Sequence, residues 1–291
     1  MSSPYVVALG GGHGLASSLR AARTYAGRIA GIVSVADDGG SSGRIRRELG
    51  LPAPGDLRRC LSALASDGNL LARSLEHRFE SGALEGHPVG NLLIAGLASA
   101  SGDFEAAVSE VARLVGAEGT LHPATRGSVT LLADADDGTL NGQVTIERGS
   151  NIRNLRFDPP NPKSPEAAVQ AIMDADQVII GPGSLFTSVL AAAVVPAIRA
   201  ALLHTSAQRI FVANIANERG EARGFDLPEH VETLSQHGVT ADVVVTAPDT
   251  RRVDEVGTDV CVADVADDDG WGHDPKKLGA VLNELRTYQP T

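Results

Sequence analysis

Three short apolar segments, each followed by a glycine-rich loop and a helical pattern, constrain most strongly what this chain can fold into. They begin near Tyr5, Val33 and Val178. A buried strand that enters a helix through a glycine loop is typical of parallel α/β proteins, in which such loops gather at one edge of the sheet. The repetition predicts an α/β protein with a Rossmann-like three-layer αβα fold, a mainly parallel sheet and a small antiparallel β insertion.

The first and third glycine loops are candidate phosphate sites. Glycine lets backbone amides approach an anion, and the amides at a helix start carry partial positive charge. The first loop contributes Gly10, Gly11, Gly12, His13 and Gly14. The third loop and its helix contribute Gly181, Pro182, Gly183, Ser184, Thr187 and Ser188. Two helix starts side by side at the carboxyl ends of parallel strands would form a crevice for a diphosphate.

Some of these residues also have a purely structural explanation. His13 fits a solvent-exposed loop residue as well as a functional one. The hydroxyls of Thr187 and Ser188 can bond to the backbone of their own helix instead of to a phosphate.

The second loop combines carboxylates with small residues and a basic helix. Asp37 and Asp38 follow the apolar run and can hold a hard cation or a ribose. The candidates that follow offer amides, hydroxyls and a positive charge: Gly39, Gly40, Ser41, Ser42 and Arg44. The structural alternative is a strand, a turn and a capped helix, since Asp, Gly and Ser are common turn residues.

Further candidates follow between residues 54 and 91. Asp56 is expected to be a helix N-cap that also faces the crevice. Arg58 and Arg59 lie in a first helical turn, where the dipole disfavours a cation, so an anionic partner would explain at least one of them. Surface solvation is the alternative. Asn91, in an apolar helical pattern, is either a structural bridge to a loop or a ligand contact. His87, just before that helix, is a weaker candidate.

The chain is predicted to form one domain, 1–291, with a helical segment at about 57–118 and a β insertion at about 119–158. Strands in the insertion are expected at Val129–Leu132, Val144–Ile146 and Ile152–Phe157, joined by turn residues. Later in the chain, Ser164, Asp226 and Asp274 are expected to cap helices. Asp134, Asp136 and Asp137 are assigned to a polar hairpin tip, because the length and the closing glutamate of an EF-hand loop are missing.

Composition excludes several classes of protein. A net charge of -11 argues against a nucleic-acid surface, which needs clustered Lys and Arg. Cys60 and Cys261 do not have the sequence spacing of metal ligands, and they do not indicate a disulfide framework. Such isolated cysteines fit a reducing compartment. The sequence shows no signal-peptide pattern and no membrane-spanning run, so a cytoplasmic protein is expected. We expect a homo-oligomer, a dimer, with a nucleotide-sugar or another nucleotide-diphosphate ligand.

Six motifs resemble those of the YvcK-like gluconeogenesis factor family of bacteria, from the first strand to the last helix. They are Gly10–Leu15, Val35–Arg44, Pro54–Arg58, His87–Asn91, Gly181–Ser188 and His273–Pro275. The resemblance implies a UDP-sugar ligand such as UDP-N-acetylglucosamine. It also implies a regulatory role that links carbon metabolism to cell-wall synthesis and cell shape, without established enzymatic turnover. The related CofD 2-phospho-L-lactate transferases use Mg²⁺, and their metal carboxylates would correspond to Asp37, Asp38 and Asp56.

The sequence differs from that family at three places. Asn217-Glu218-Arg219 stands where members have Thr-Gln-Pro, Gly272 stands where many have Arg, and a Tyr-containing segment near 246–259 is shorter.

Three functions are therefore compared. A UDP-sugar-binding regulator ranks first, and a Mg²⁺-dependent phospholactyl or phosphoryl transferase ranks second. An NAD-dependent oxidoreductase ranks third, because Leu15 occupies the place of the third small residue in the dinucleotide fingerprint. The spacing of residues identifies no catalytic nucleophile and base of the Ser/His or Cys/His kind. This favours a binding role, or group transfer positioned by a metal ion. Magnesium is the one candidate cofactor.

Overall fold

The structure, a computed structural model, describes residues 3–66, 68–215 and 220–287. The strands are β1 Tyr5–Gly10, β2 Arg28–Val33, β3 Thr120–Pro123, β4 Thr130–Ala135, β5 Gly138–Asn141, β6 Arg153–Asp158, β7 Gln177–Ile180, β8 Gln208–Val212, β9 Val243–Thr246 and β10 Asp259–Val262. The first helices are α1 Gly12–Ala22, α2 Gly40–Leu49, α3 Gly55–Leu64, α4 Leu70–Glu76, α5 Val89–Ser101, α6 Phe104–Leu114 and α7 Gln143–Glu147. The later helices are α8 Glu166–Met173, α9 Ala191–Ala193, α10 Pro196–His204, α11 Leu227–Gln236 and α12 Pro275–Leu285. A π-helical segment, Leu185–Leu190, precedes α9, and a 3-10 turn, Val253–Glu255, precedes β10.

Seven strands form one parallel sheet in the order β10-β9-β8-β7-β1-β2-β3. The central strand β1 pairs with β2 on one side and with β7 on the other, so that Leu9 lies opposite Ile32 and Ile180. From the central strand β1, the chain first adds β2 and β3 on one side of the sheet. It then returns to the other side of β1 and adds β7, β8, β9 and β10 in order. The direction of building changes between β1 and β7, and the loops after these strands flank the crevice at that switch point.

Helices cover both faces of this sheet. Along β1, Val6 and Ala8 belong to a core formed with α1, α3, α6 and α12. Val7 and Leu9 belong to the opposite core, with α8, α10 and α11. Strands buried on both faces are continuously apolar, which is the pattern that the sequence showed. The three-layer α/β fold is confirmed.

The predicted insertion is smaller than expected and partly helical. Its antiparallel sheet has the strand order β5-β4-β6, and a tight hairpin pairs Ala135 with Gly138. The edge strand β3 precedes it in the main sheet, paired in parallel with β2. The predicted strand at Val144–Ile146 is wrong. These residues lie in α7, whose first amides, those of Gln143 and Val144, donate to the Asp38 carboxylate at 3.1 and 3.0 Å.

Helix caps were predicted with mixed success. The capping box of Asp226 and Glu229 and the cap at Asp274 are confirmed. Asp56 is not a cap, because α3 begins one residue earlier with Pro54 in the N-cap position. Ser164 is not a cap either, since its hydroxyl donates to the carbonyl oxygen of Ala124 at 2.9 Å.

Within the described ranges, no helix taken singly has the length and apolar character needed to cross a membrane. One pair, Leu185–Ala193 with Pro196–His204, meets those criteria jointly and is bent by 74°.

Candidate functional site

A cavity of about 460 Å³, here called the main cavity, opens at the switch point between β1 and β7. The structure brings together in its lining many of the residues that the sequence singled out: Gly11, Gly12, His13, Gly14, Asp37, Gly39, Asp56, Gly183, Ser184, Thr187 and Ser188. These residues come from all three glycine loops and from the start of α3. The carboxyl edge of the sheet therefore gathers segments that are far apart in the chain.

The first glycine loop presents a helix start to the main cavity. Gly11 is the N-cap of α1 and supplies no side-chain cap, while the Gly12 amide donates to the carboxylate of Asp56, which also lines the cavity. A Cβ on Gly12 would meet no atom within 4 Å. A Cβ on Gly14 would lie 2.2 Å from the carbonyl oxygen of Pro182, so that glycine lets the two loops touch. The loop is thus both a packing element and an anion cradle.

The helix start after β7 differs from the expectation of a second open phosphate cradle. One carboxylate oxygen of Glu221 accepts from the amides of Phe186 and Thr187 at 2.6 and 2.9 Å. These two amides already have an anionic partner and are closed to a phosphate. The buried Thr187 hydroxyl has no hydrogen-bond partner among the described residues and lines the cavity. On this wall the polar side chains that remain for a ligand are that buried hydroxyl and the half-buried Ser184 and Ser188.

Two of the three predicted metal carboxylates face the main cavity. Asp37 accepts from the Gly39 amide at 2.9 Å, and Asp56 accepts from Arg59 at 2.7 Å. Burial raises the pKa of Asp56, an effect that Arg59 opposes and that the negative charge of Asp37 reinforces. Asp38 is not with them, because both of its oxygens accept from α7. Among the described side chains, no three His, Cys, Asp or Glu residues form a metal cluster, so a divalent cation would also need ligand oxygens.

His13 and Arg59 lie on the same rim of the main cavity. Burial, and then the positive charge of Arg59, lower the pKa of His13. The imidazole is therefore neutral near neutral pH and can either donate or accept a hydrogen bond.

A second pocket of about 200 Å³, here called the arginine pocket, adjoins the main cavity. Its lining contains five further predicted residues: Gly40, Ser41, Ser42, Arg58 and Asn91. The Ser41 hydroxyl lies 2.8 Å from Nδ1 of His87, and the Asn91 amide donates to it at 3.0 Å. Asn91 is thus a bridge between α5 and the second loop. Arg44 lines neither cavity and donates instead to the carbonyl oxygen of Glu85 at 2.8 Å.

A third depression, of about 190 Å³, extends the main cavity beyond Gly183. Pro182 lies in its lining, together with Gly272 and the indole of Trp271, which is 64% exposed. Gly10 is the last residue of β1, and Gly181 directly follows β7. Neither glycine lines any of the three depressions. Asn217-Glu218-Arg219, one of the departures from the family pattern, lies outside the described residues.

Sequence reasoning missed several residues that line these depressions. The first group lines the main cavity: Ser34, Gln143, Val144 and Glu147. Three of them belong to α7, which the alternating pattern assigned to a strand. Asn214 was also missed, although a polar residue just after β8 at the carboxyl edge was a usable signal. Its amide donates to the Gly183 carbonyl oxygen at 3.1 Å and its oxygen accepts from the Gly183 amide at 3.0 Å.

Comparison with known proteins identifies the family. The model of the family described as 2-phospho-L-lactate transferase CofD matches residues 6–276. The chain belongs to the CofD family. This CofD-family chain is 43% identical to a "Putative gluconeogenesis factor" of Mycobacterium tuberculosis, over 96% of this chain and 89% of that protein. It is 39% identical to the "Gluconeogenesis factor" of Halalkalibacterium halodurans, over 84% of this chain and 78% of that protein.

A solved structure supports the same assignment. A crystal structure of a UPF0052 family member from Bacillus halodurans superposes on this chain with a TM-score of 0.91 at 32% identity, covering 97% of this chain and 99% of that one. The family resemblance read from the sequence motifs is confirmed.

Proposed function

We propose that the main cavity of this CofD-family protein binds a nucleotide-diphosphate sugar of the UDP-N-acetylglucosamine type, and that binding serves regulation instead of turnover. The observation that carries the proposal is the glycine-lined start of α1, which borders the cavity at the switch point of the sheet beside Asp56. A cavity of about 460 Å³ lies in the size range of small-molecule sites. The rim adds the positive charge of Arg59 and the Thr187 hydroxyl, which suit the oxygens of a diphosphate.

The biological role follows from the relatives. Proteins related over most of this chain are named gluconeogenesis factors, which supports a role in carbon metabolism. The sequence motifs resemble the YvcK-like family, so the proposal extends to cell-wall synthesis and cell shape. It also places the protein in the cytoplasm as a homodimer, which light scattering of the purified protein would test.

A second candidate is a transferase of the kind that the family description names. The convergence of Asp37 and Asp56 in one cavity favours it. Two neighbouring carboxylates, one with a raised pKa, suit a divalent cation, and Mg²⁺ bound there would neutralise charge on a transferred phosphoryl group. In this candidate the α1 start and Arg59 orient the donor.

The decisive test compares two Thr-to-Val variants by calorimetry with UDP-N-acetylglucosamine. Thr187→Val removes a buried hydroxyl that has no described partner, so we expect about tenfold weaker binding with unfolding stability unchanged or raised. Thr205→Val is the matched control, because its hydroxyl donates to the Ile172 carbonyl oxygen at 2.8 Å, far from the cavity. The control should lose about 1 kcal/mol of stability and keep its affinity.

Equal affinity in Thr187→Val and the parent protein would contradict the cavity assignment. Phosphorus NMR of the protein with UDP-N-acetylglucosamine and Mg²⁺ separates the two candidates. Unchanged ligand after long incubation is expected for the regulator. Cleavage of the diphosphate bond, with release of UMP and transfer of the sugar phosphate to water, would favour the transferase.

A further inference from the structure

The arginine pocket is separate from the main cavity and is built differently. The two depressions share Asp37, Gly39 and Arg59 at their border. Two ten-residue helices, α2 and α3, begin at the arginine pocket, where Gly40 and Gly55 line it. Neither helix has a side-chain cap, so both helix starts direct positive partial charge toward one small space.

Two buried polar side chains line this pocket with atoms that lack partners. Arg58 is 3% exposed and forms an ion pair through Nη2 with Glu76 at 3.2 Å, while its Nε has no hydrogen-bond partner among the described residues. Asn91 is 1% exposed, and its Oδ1 likewise has no partner in the described part of the chain. Buried polar atoms are normally paired, so a group that pairs with both is the natural occupant of this space.

The position of Arg58 is enforced by packing. A Cβ on Gly90 would lie 2.6 Å from Cγ of Arg58, so α5 can approach the arginine stem only because residue 90 is glycine. The guanidinium is therefore fixed at the pocket wall and is not free to seek solvent. A cation held in this way loses little entropy when an anion binds.

The charges of the lining favour a compact oxyanion. The lining holds three arginines, Arg58, Arg59 and Arg78, and one carboxylate, Asp37. Arg58 and Arg59 also pair with Glu76 and Asp56, so Arg78 is the lining arginine with no ion pair among the described residues. Ser42 supplies a hydroxyl, whereas the Ser41 hydroxyl already bonds to His87 and Asn91. The unpartnered Oδ1 of Asn91 is an acceptor, so the occupant also needs a hydroxyl donor. A singly protonated phosphate has both features.

We propose that the arginine pocket binds a phosphate-class oxyanion at a site separate from the ligand of the main cavity. Inorganic phosphate and the phosphoryl group of a small phosphomonoester present this same chemistry, and the pocket volume of about 200 Å³ holds either. The site is independent of whether the main cavity takes a UDP-sugar.

Calorimetric titration with inorganic phosphate, and in parallel with methyl phosphate, tests the proposal. The variant is Arg78→Ala, which changes an exposed lining residue and leaves the core intact. The matched control is Arg73→Ala, which removes the same charge from the exposed surface of α4 outside the lining. Gly90→Ala is a second variant that displaces the Arg58 guanidinium without changing any charge.

We expect phosphate affinity to fall about tenfold in Arg78→Ala and to stay within about twofold in Arg73→Ala. Binding should persist when UDP saturates the main cavity. Tighter binding of methyl phosphate than of phosphate would identify a monoester as the source, and the reverse would identify free phosphate.

Three results would overturn the proposal: no phosphate binding by the parent protein, equal losses in Arg78→Ala and Arg73→Ala, or displacement of phosphate by UDP. A protein that binds phosphate but neither UDP nor its sugar would refute the proposed function and leave this site standing.

Discussion

Gly12 and Gly14 are glycine for different physical reasons, although only His13 separates them. Gly12 has a φ of +63, a left-handed conformation that costs a residue with a Cβ about 1 to 2 kcal/mol. The space around it is open. Gly14 has little room, because its Cβ would overlap the backbone of Pro182 in the third loop.

This difference predicts opposite results for two alanine variants. Gly12→Ala should fold with a loss of about 1 kcal/mol and should weaken UDP-sugar binding, because its Cβ projects where a phosphate approaches α1. Gly14→Ala should lose at least about 2 kcal/mol more, because the two loops must separate. Urea unfolding and calorimetry measure both quantities. Equal destabilisation by the two variants would contradict the packing argument.

The sequence identified the neighbouring carboxylates of Asp37 and Asp38 as candidate ligands, but it did not show that the two have different roles. Asp37 and Asp38 are adjacent and chemically identical, so their local pattern is the same. The structure distinguishes them only through α7, more than a hundred residues away, whose amides bond to Asp38. Glu221 shows the same limit, because its partners at 186 and 187 are distant in sequence.

Among the elements, α7 is the one whose type was predicted wrongly. Its β-branched residues favour a strand when taken alone, and tertiary contacts decide otherwise. Asp38 accepts from its first amides, and Arg46 donates to the Val129 carbonyl oxygen at 2.5 Å, next to the start of β4. The second loop and the helix α2 that follows it therefore anchor the inserted sheet over the main cavity.

Removing the Asp38 carboxylate should destabilise α7 locally before it unfolds the whole protein. In Asp38→Ala, the amides of Gln143 and Val144 lose a charged acceptor, so their hydrogen exchange should accelerate by about tenfold or more. Exchange in β1 and β7 should be unchanged. Asp137→Ala, in the exposed hairpin turn, removes the same charge and should leave α7 exchange unaltered. Unchanged exchange at Gln143 in Asp38→Ala would show that other contacts hold α7.

Across the whole molecule, the sequence predicted the layers and the parallel sheet because buried strands and amphipathic helices carry strong periodic signals. It did not predict that β3 is an edge strand, since four residues with mixed burial give almost no pattern. It also did not predict the three adjoining depressions. Their shapes depend on side chains such as Asn91 and Asn214, whose partners Ser41 and Gly183 are brought to them only by the fold.

Two partly or fully buried histidines link the stability of the whole protein to mild acid. Burial lowers the pKa of His122 and of His273, so the fold favours their neutral forms. A histidine with a lowered pKa contributes stability that is fully present above its unfolded pKa of about 6.5 and is lost as pH falls toward its folded pKa. Stability should therefore decline in this window. The carboxylate of Asp134, whose pKa is lowered to about 2, loses its contribution only at much lower pH.

The variant His273→Gln measures how much of this loss of stability in mild acid comes from His273. His273 is 8% exposed and its Nε2 lies 3.1 Å from the carbonyl oxygen of Ala213, a bond that a glutamine amide can replace without titrating. Between about pH 7.5 and about pH 5.5, the parent should lose about 1 kcal/mol more unfolding free energy than His273→Gln. Urea unfolding at the two pH values measures the difference. The exposed His204→Gln is the control and should follow the parent at both values. A His273→Gln variant that follows the parent as well would show that folding does not lower the pKa of His273.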